Sequence, residues 1–568
     1  MLKRLKSVSM MLFLMGASTG AAYAVSNPGI TDVKIAQQDG ACTGIVKDAT
    51  GETVIGASVV VKGTTNGTIT GIDGDFSLSN VKKGDVIVIS FVGYISQEIV
   101  WDGKPVNVTL KDDTQTLDEV VVVGYGTQKK VNVTGAVGMV DSKVIAARPV
   151  QNVSQALQGV IPGLNLTVGN SGGSLDGEMN INIRGTGTIG DGSGSSPLVL
   201  IDGIEGNLNT VNPNDIESVS VLKDAASASI YGARASFGVI LVTTKSGKSG
   251  KTNVNYSGNV RFNDAIGIPE LMDSYTFAQY FNRASSNRGG GDIFSPAVME
   301  RIKAYQEGTL TATTVDNGSG IWQKWANANG NTDWFGEFYD NWVPSQEHNL
   351  SISGGTEKLQ YVLSGSFLDQ KGLLRHGTDK FQRYTLNSKI TANITDWLKV
   401  TLNSKWTRED FQRPTYLTSS FFHNLARKWP VHPAYDPNGF PMDEGEIEQM
   451  ENGGEQNSQK DYYTNQLHVV IEPIKNWRIN LEGSVRTTTQ YQHWEVLPVH
   501  AYDVNGDPYY TVWDMGYGSY SAGSSRVDEY SWKENYYTTN IYSDYFKQFD
   551  NGHYFKVMAG FNAELYKN

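Results

Sequence analysis

The sequence has very few of the residues on which cross-links, metal sites and nucleophilic catalysis depend. Cys42 is the only cysteine among 568 residues, so no disulfide bond can form within the chain. The stretch from Gln37 to Ala41 before it is polar and lacks the apolar run that precedes a lipid-modified cysteine. We expect Cys42 to be an inert residue of a strand.

Histidine is also scarce, with eight residues in the chain. No spacing typical of a metal site occurs among His423, His432, His468, His493 and His500. No Ser/His/Asp or Cys/His set for nucleophilic catalysis stands out either. We therefore predict no catalytic residues, no metal site and no cofactor, and we do not expect an enzyme.

Basic residues are in the minority, and the net charge of -12 leaves no basic stripe to neutralise a nucleic acid backbone. Aromatic residues, in contrast, make up 11% of the chain, and glycine contributes 61 residues. A chain this aromatic and this moderately charged does not have the composition of a disordered protein. It is typical of β-structure with many tight turns.

Long apolar runs are missing except at the N-terminus. Lys3, Arg4 and Lys6 precede an apolar run from Val8 to Met15, and Ala22-Tyr23-Ala24 follows. This order indicates a secretory signal peptide over residues 1–24. No later run reaches the roughly 18 apolar residues of a transmembrane helix. A closed β-barrel stays possible, because its strands leave almost no hydropathy signal.

Residues 42–114 have the pattern of a small β-sandwich. About seven short alternating runs are separated by turn sequences at Ala49-Thr50-Gly51, Asn66-Gly67 and Asp73-Gly74-Asp75. Asp73 and Asp75 could bind calcium, but a hairpin turn explains them better. The unit contains no histidine, which excludes the His-rich zinc site of a carboxypeptidase.

A valine-rich segment follows, DEVVVVGYG, from Asp118 to Gly126. Four consecutive valines favour an extended backbone. Such a segment can add as an edge strand to the sheet of a partner, which grips it through backbone hydrogen bonds. It could equally be the last strand of the preceding sandwich or a strand of the domain that follows.

Residues 127–247 predict a mixed α/β domain, because the apolar period switches repeatedly between about 3.6 and 2. One helical face is expected from Val153, Ala156, Leu157 and Val160. Strands are expected where Ile181 and Ile183 alternate with asparagines and where Val219 and Val221 alternate with serines. The continuous run Val239–Val242 predicts a strand covered on both sides.

One motif in this domain resembles a dinucleotide-binding site but does not indicate one. Gly185 to Gly190 matches G-x-G-x-x-G, but the glycine- and serine-rich run to Pro197 cannot start the helix that a dinucleotide site needs. A flexible loop is the better interpretation.

From Lys251 onward the chain predicts a sheet of long alternating strands. In WLKVTLNSKWT, apolar Leu398, Val400 and Leu402 alternate with polar residues. Links between strands alternate strictly between tight turns and long loops, as in outer-membrane barrels. Aromatic residues near strand ends fit an interfacial girdle: Trp397, Trp406, Trp477, Tyr545 and Phe555. The predicted strands are 251–262, 346–354, 358–370, 381–395, 397–409, 461–473, 477–491, 535–549 and 553–566.

These nine strands are too few for a closed wall around a plug, which needs about 22 strands. The expectation is therefore an N-terminal fragment of a longer protein. The predicted fold is mostly β: an N-terminal β-sandwich, a mixed α/β plug domain (the plug segment, residues 127–247), and an incomplete antiparallel transmembrane β-barrel over 251–568.

The string DIESVSVLKDAASASIYGARASFGVILVTTK, from Asp215 to Lys245, is long and specific. It resembles the plug of TonB-dependent outer-membrane receptors of the SusC/RagA-like branch. The first unit resembles the carboxypeptidase-regulatory-like domains that precede many such plugs. The resemblance implies an energy-coupled importer in the bacterial outer membrane with a periplasmic N-terminal domain. It implies glycans as the commonest substrate class, with peptides next, and a SusD-like surface lipoprotein as partner.

The resemblance also implies site residues. TonB would pair with Asp118, Glu119, Val120, Val121, Val122, Val123, Gly124, Tyr125 and Gly126. Substrate would meet the plug loop and the long-loop aromatics, for which we name Arg184, Thr186, Thr188, Asp191, Trp325, Trp334, Phe421, Trp429 and Trp513. Packing of the loops onto one another is the plainer role for most of these rings. A surface adhesin that binds glycans without transport, and an exported enzyme, remain alternative functions.

Overall fold

The structure is a computed structural model that describes residues 40–91, 94–111, 120–123, 126–129, 136–148, 150–168, 174–185, 196–511, 513–514, 519–520, 522–549 and 553–568. The chain divides into two compact units, Met1–Glu119 and Val120–Asn568. The predicted signal peptide, residues 1–24, lies outside the described residues.

The first unit contains seven strands in its described part, and they form two sheets. The strands are β1 (Gly40–Lys47), β2 (Ser58–Val61), β3 (Gly67–Ile69), β4 (Asp75–Val81), β5 (Val86–Ser90), β6 (Gln97–Val100) and β7 (Val106–Thr109). One sheet has the order β4-β1-β7 and the other β3-β2-β5-β6. The predicted seven-stranded sandwich is confirmed.

The core of this unit is formed by alternating residues of both sheets. Phe76 and Leu78 of β4 are buried together with Ile87 and Ile89 of β5. Cys42 lies in β1 and is fully buried, and burial raises the pKa of its thiol, so it is the unreactive strand residue that was predicted. The Asp73–Asp75 sequence makes a tight turn, in which the Gly71 N–H donates to the Asp75 carbonyl at 2.7 Å.

The plug segment has a five-stranded mixed sheet with helices packed against it. At its N-terminal boundary lie β8 (Val120–Val123) and β9 (Gly126–Lys129). The elements that follow in chain order are β10 (Val137–Asp141), α1 (Ser142–Ala146), α2 (Val153–Leu157), β11 (Leu164–Val168), β12 (Met179–Ile183), β13 (Leu198–Ile201), β14 (Ile204–Glu205), β15 (Ile216–Leu222), α3 (Ala225–Ala228) and β16 (Val239–Thr244). Short 3-10 turns cover Leu208–Thr210, Pro213–Asp215 and Ser229–Ala235. The sheet order is β10-β15-β16-β13-β14, and among the strands that the structure describes β11 pairs only with β12.

Two apolar clusters cover the two faces of this sheet. The first joins α1, α2, β11 and β15, and buries Val153, Ala156 and Leu157 as their helical spacing predicted. The second contains Leu198, Leu222, Tyr231 and Leu241, among others. In β15 the expected alternation fails, because Ser220 is as buried as its valine neighbours. This part of the strand is covered on both faces, so the Ser220 side chain is not turned to solvent, whereas Ser218 is half-buried.

The C-terminal half forms an open antiparallel sheet, which we call the wall. Its nine described strands pair in the order β17-β18-β19-β20-β21-β22-β23-β28-β29. They are β17 (Gly250–Asn263), β18 (Val343–Gly355), β19 (Leu359–Lys371), β20 (Lys380–Thr395), β21 (Leu398–Pro414), β22 (Glu455–Ile474), β23 (Trp477–Val496), β28 (Arg526–Gln548) and β29 (Tyr554–Lys567). All nine predicted strands are confirmed, and several extend further toward the long loops than the sequence indicated.

The long loops all leave one rim of the wall and carry the remaining elements. These are α4 (Ser274–Asn287), α5 (Pro296–Gln306), α6 (Trp334–Phe338), α7 (Ser419–Ala426), α8 (Ile447–Asn452), a 3-10 turn (Trp325–Asn327) and the short strands β24 (His500–Tyr502), β25 (Pro508–Tyr510), β26 (Trp513–Asp514) and β27 (Ser519–Tyr520). In the part of the chain that the structure describes, no helix is both long and apolar enough to cross a membrane.

The two faces of the wall are opposite in character to those of a soluble sheet. On the outer face, Ile390, Leu402 and Leu467 are cross-strand neighbours, and Leu402 is 47% exposed. On the inner face, Asn403, only 3% exposed, pairs across the strands with Gln466, which is buried as well. The apolar residues thus face outward and the polar residues are covered, the pattern of a sheet whose outer face meets lipid.

The burial pattern of the N-terminal unit makes a direct stability prediction. Replacing Ile87, which is 0% exposed, by alanine should lower the free energy of unfolding by about 2–5 kcal/mol, because it leaves a cavity in the shared core. Urea denaturation of residues 40–114, produced as a separate unit, measures this. Ile72→Ala is the matched control, since Ile72 is 77% exposed and its loss should change stability by less than about 0.5 kcal/mol. Equal effects of the two substitutions would contradict the sandwich core.

Candidate functional site at the plug and wall interface

The plug segment meets the inner face of the wall at the β13–β14 turn. Asp202 and Gly203 connect the two strands, and both have positive φ, 50° and 88°. An Asp-Gly pair with this backbone is the preferred two-residue hairpin connection. The turn projects the Asp202 carboxylate toward the wall.

The Asp202 carboxylate is surrounded by donors from the wall. Lys389 of β20 lies 3.4 Å from it, and Lys405 of β21 forms a second, shorter ion pair. The Asn403 side chain donates to the same carboxylate at 3.0 Å, and Gln466 of β22 donates to the Asp202 carbonyl at 2.9 Å. Burial alone would raise the pKa of Asp202, but the two ammonium groups hold that pKa well below its usual range. The carboxylate is therefore ionised.

Thr244 connects this network to the centre of the plug sheet. Its N–H and its hydroxyl donate to Asp202 at 2.9 and 2.7 Å. Lys389 donates to the Thr244 carbonyl at 3.2 Å. The wall thus holds both the β13–β14 turn and the end of β16.

Three of the four wall residues that bind the Asp202 turn, all except Lys405, lie in one cross-strand row of the wall. Lys389 pairs with Asn403, which pairs with Gln466, and the row continues through Ser484 and Thr538 to Glu564 of β29. At its far end, Glu564 accepts from Arg234 of the plug segment at 2.7 Å. The same row therefore binds a plug anion at one end and a plug cation at the other.

Above the Asp202 turn, plug and wall enclose a cavity of about 280 Å³. The plug contributes Thr244 and nine residues between Ile201 and Asp215, and the wall contributes threonines together with charged and aromatic side chains. Those of the wall include Thr385, Asn387, Thr407, Lys460, Tyr462, Arg486, Thr488, Trp532 and Glu534. Thr407 also donates to the Thr210 carbonyl of the plug at 2.9 Å. The cavity is lined mainly by hydrogen-bonding groups on the side of the wall.

The long loops meet in a second cluster around His432, which is fully buried. Its ring stacks on Trp325 at a centroid distance of 4.6 Å and lies 5.9 Å from Trp334. The Lys428 ammonium lies 4.8 Å from the Trp334 ring centroid and 3.3 Å from the Glu446 carboxylate. These residues come from two different loops, so the cluster fastens the loops to each other.

Comparisons with known proteins agree with this geometry. A model of the TonB-dependent receptor plug domain matches residues 129–239, and one of the CarboxypepD_reg-like domain matches residues 42–122. The TonB-dependent receptor SusC of Bacteroides thetaiotaomicron is 37% identical over 375 residues, covering 64% of this chain and 33% of SusC. The TonB-dependent receptor P39 of Formosa agariphila is 33% identical over 393 residues, covering 68% and 34%.

The chain therefore contains a TonB-dependent receptor plug domain preceded by a CarboxypepD_reg-like domain, and over the matched region its sequence is SusC-like.

The fold of a solved relative is similar as well. The RagAB peptide importer in its open-open state matches with a TM-score of 0.63 and 24% identity, covering 79% of this chain and 49% of that chain. At this identity the likeness concerns the fold. The chain spans about a third of the length of the curated relatives that it matches.

Four of the five loop aromatics predicted to contact substrate pack against other rings of the loops. Trp334 and Phe421 are fully buried, and Phe421 packs against Phe338 at a ring distance of 5.1 Å. Trp429 packs against phenylalanines of α4, and Trp325 stacks on His432. The structure therefore shows packing roles for these four residues, and substrate contact by them stays a prediction.

The other predicted substrate residues are placed only in part. Arg184 is exposed at the end of β12, with a positive φ of 60°. Thr186, Thr188 and Asp191 lie outside the described residues, as does the G-x-G-x-x-G loop beyond Gly185. Trp513 lies in β26, and its side chain is not among those that the structure describes.

The valine-rich segment predicted to bind TonB forms one arm of a hairpin. Val120–Val123 pairs antiparallel with Gly126–Lys129, with Val121 opposite Gln128. Asp118, Glu119, Gly124 and Tyr125 lie outside the described residues. The extended backbone is as predicted, and its strand partner is the sequence that immediately follows.

The charged residues that bind plug to wall were missed from the sequence. Asp202 lies in an Asp-Gly turn, and Lys405 lies on the polar side of an alternating strand, so each was visible separately. Nothing local pairs them, because they are 203 residues apart. The row on the wall becomes visible only once strand register is known.

The buried His432 predicts a pH dependence of the loop cluster. Burial and the neighbouring Lys428 and Lys324 lower the pKa of His432 well below its ordinary value. Unfolded loops would bind a proton that folded loops do not, so loop stability should fall as the pH drops below about 6.5. Hydrogen exchange of residues 425–447, corrected for intrinsic rates, should show faster opening at pH 5.5 than at pH 7.5.

His432→Phe keeps a ring between the tryptophans and should remove most of this pH dependence. His423→Phe, at an exposed position in α7, is the control and should retain it. An unchanged pH dependence in the His432 variant would show that another group is responsible.

Proposed function

We propose that this receptor is the N-terminal part of an energy-coupled importer in the bacterial outer membrane. The observation that carries the proposal is the plug segment held by ion pairs on the polar, inward face of a wall whose outward face is apolar. A plug seated inside such a wall blocks the bore, so passage of a solute requires work on the plug. The proposal includes no covalent step.

The proposed domain boundaries follow the predicted ones. Residues 1–24 are the signal peptide, 42–114 the periplasmic carboxypeptidase-regulatory-like unit, 118–126 the TonB-binding segment, 127–247 the plug, and 251–568 the partial barrel. The matched family regions, 42–122 and 129–239, support the division into these units.

In this mechanism a strand of TonB forms backbone hydrogen bonds with residues 118–126. The strand Val120–Val123 pairs with Gly126–Lys129 within the chain, so its backbone groups must exchange that partner for a strand of TonB. Backbone pairing grips the segment along its whole length and transmits a pulling force to the plug segment that follows it. Energy from the inner-membrane proton gradient supplies that force.

We propose glycans as the substrate class and a SusD-like surface lipoprotein as the partner that closes over the long loops. SusC itself is the relative that supports this choice, at 37% identity. The second candidate class is peptides, which the fold similarity to the RagAB peptide importer favours. In both cases substrate would lie on the plug beneath the loops before uptake.

Disrupting the backbone of the TonB-binding segment should abolish uptake and leave surface binding intact. In the full-length protein, Val122→Pro removes one backbone N–H and prevents strand pairing, and deletion of Asp118–Gly126 removes the segment altogether. Uptake of labelled substrate by cells is expected to fall to background in both variants.

The matched control is Val122→Thr, which keeps the N–H donor and a β-branched side chain and should retain most of the uptake. If uptake survives the deletion while binding is intact, the importer mechanism is wrong. If the wild type binds substrate but never imports it, the protein is a surface adhesin.

A competition binding experiment distinguishes glycans from peptides as the substrate class. Cells that express the full-length receptor with its lipoprotein should bind labelled oligosaccharides, and unlabelled oligosaccharides should displace them while a tryptic peptide mixture should not. Mass spectrometry of the recovered oligosaccharides should show unchanged masses, as expected without enzymatic turnover. Displacement by peptides alone would replace the glycan proposal by the peptide one, and shortened oligosaccharides would indicate an enzyme.

A further inference from the structure

We propose that the contact between plug and wall at Asp379 is proton-sensitive, so that mildly acidic surroundings hold plug residues 174–178 more firmly on the wall. We call residues 174–178 the plug loop. The consequence for import rests on the proposed function, whereas the contact itself does not depend on it.

The plug loop lies against the wall near residues 372–379, which join β19 to β20. Its Leu175 packs against three buried residues of neighbouring wall strands. They are Leu368, Phe381 and Phe411. The next residue, Asp176, accepts a hydrogen bond from the Ser174 hydroxyl. The apolar contact thus brings a carboxylate of the plug to the wall.

The wall has a carboxylate of its own at this contact. Asp379 directly precedes β20, and its carbonyl accepts from the Gly372 N–H at 2.8 Å. Its carboxylate occupies the space that a side chain at residue 372 would fill, so a glycine there permits this inward position. The Oδ1 atom of Asp379 is buried and has no hydrogen-bond partner among the described residues. Burial without a partner favours the neutral form of a carboxyl group.

The nearby cations donate to neutral groups. Arg413 of β21 donates to a glutamine side chain of β22 at 2.8 Å. Arg383 of β20 donates to two backbone carbonyls of the plug, among them that of Asn209 at 2.6 Å. Glu178 of the plug and Glu409 of β21 bring further negative charge to the plug loop. Negative charge at this contact is therefore only partly balanced.

The surroundings of Asp379 raise its pKa. Burial is the main cause and brings the pKa to about 6, while Arg413 opposes the rise and Asp176 adds to it. When the plug loop leaves the wall, water reaches Asp379 and its pKa returns toward the ordinary value of 3.8. The contact therefore binds a proton that the released state does not. The stability that this proton adds is complete below about pH 4 and is lost as the pH rises through about 6.

This pH dependence has the opposite sign to that of the loop cluster around His432. The loop cluster loses stability in acid, because burial keeps the His432 ring neutral. The plug loop gains stability in acid, because burial keeps the Asp379 carboxyl group protonated. In the proposed importer, the plug would therefore be harder to displace, and import slower, in mildly acidic surroundings.

Thiol labelling measures the release of the plug loop. In the full-length protein with Cys42→Ser, the substitution Leu368→Cys places a thiol beneath Leu175, where 3% of the native side chain is exposed. Its rate of reaction with a water-soluble maleimide, divided by the rate in the denatured protein at the same pH, gives the released fraction. We expect this fraction to fall about five- to tenfold from pH 7 to pH 5.

Three further substitutions assign the effect. Asp379→Asn cannot titrate and should give a low released fraction at both pH values. Asp369→Asn is the matched control, because this nearby carboxylate is paired with Lys380 at 3.5 Å, and it should retain the pH dependence. Asp176→Asn removes the neighbouring negative charge and should move the midpoint of the pH dependence below about 6, which a purely structural role of Asp379 would not do.

A released fraction that is the same at pH 7 and pH 5, or that falls equally in Asp379→Asn, would overturn the proposal. An unmoved midpoint in Asp176→Asn would count against it as well. Both outcomes are independent of transport.

Uptake by cells tests the consequence for import. Asp379→Asn should import labelled substrate more slowly than the wild type at pH 7 and at the same rate at pH 5. Equal rates at pH 7 would contradict the effect on import. Absent uptake by the wild type, with labelling as expected, would instead contradict the importer proposal and leave the proton-sensitive contact in place.

Discussion

The structure depends on a sheet that is polar on its covered face and apolar on its open face. Ile390, Leu402 and Leu467 line the outside, while the row from Lys389 to Glu564 lines the inside. Burying a polar side chain costs free energy unless it is hydrogen-bonded, so the inner face favours a partner with matching donors and acceptors. The plug segment supplies that partner from loops and turns as well as from strands.

In the proposed importer, this mode of contact would hold the plug firmly and still allow it to move. Polar and charged contacts are directional and few, whereas an apolar interface would resist separation over its whole area. The plug keeps most of its apolar residues in two internal clusters and presents Asp202, Asn212 and Arg234 to the wall, where Leu175 makes an apolar contact as well. The polar attachments can therefore break one at a time without opening the two internal clusters.

The sequence predicted those parts of the fold that depend on patterns among residues close together in the chain. Strict alternation along Trp397–Thr407 and the alternation of tight turns with long loops located the wall, and the motif from Asp215 to Lys245 identified the plug. At Ser220 the local pattern gave the wrong prediction of burial. Alternation with valines suggested an exposed face, but burial on both sides of β15 comes from helices and loops distant in the chain.

The interfaces could not be predicted for the same reason. His432 lies between Trp325 and Trp334, about 100 residues earlier in the chain, and Asp202 pairs with lysines about 190 to 200 residues later. Such pairs depend on strand register and loop path, which no local pattern encodes. Aromatic residues in the loops were visible from the sequence, but only the coordinates showed that four of them are used for packing.

The most direct test of this account is the environment of alternate residues along one pair of wall strands. In a cysteine-free background, which includes Cys42→Ser, a nitroxide label can be placed singly at residues 402, 403, 466 and 467 of the full-length protein in lipid bilayers. Collision with lipid-soluble oxygen should be high at 402 and 467 and low at 403 and 466, where a water-soluble nickel chelate should also have little access. Low oxygen access at 402 and 467, or high access at 403 and 466, would contradict a wall that faces lipid and encloses the plug.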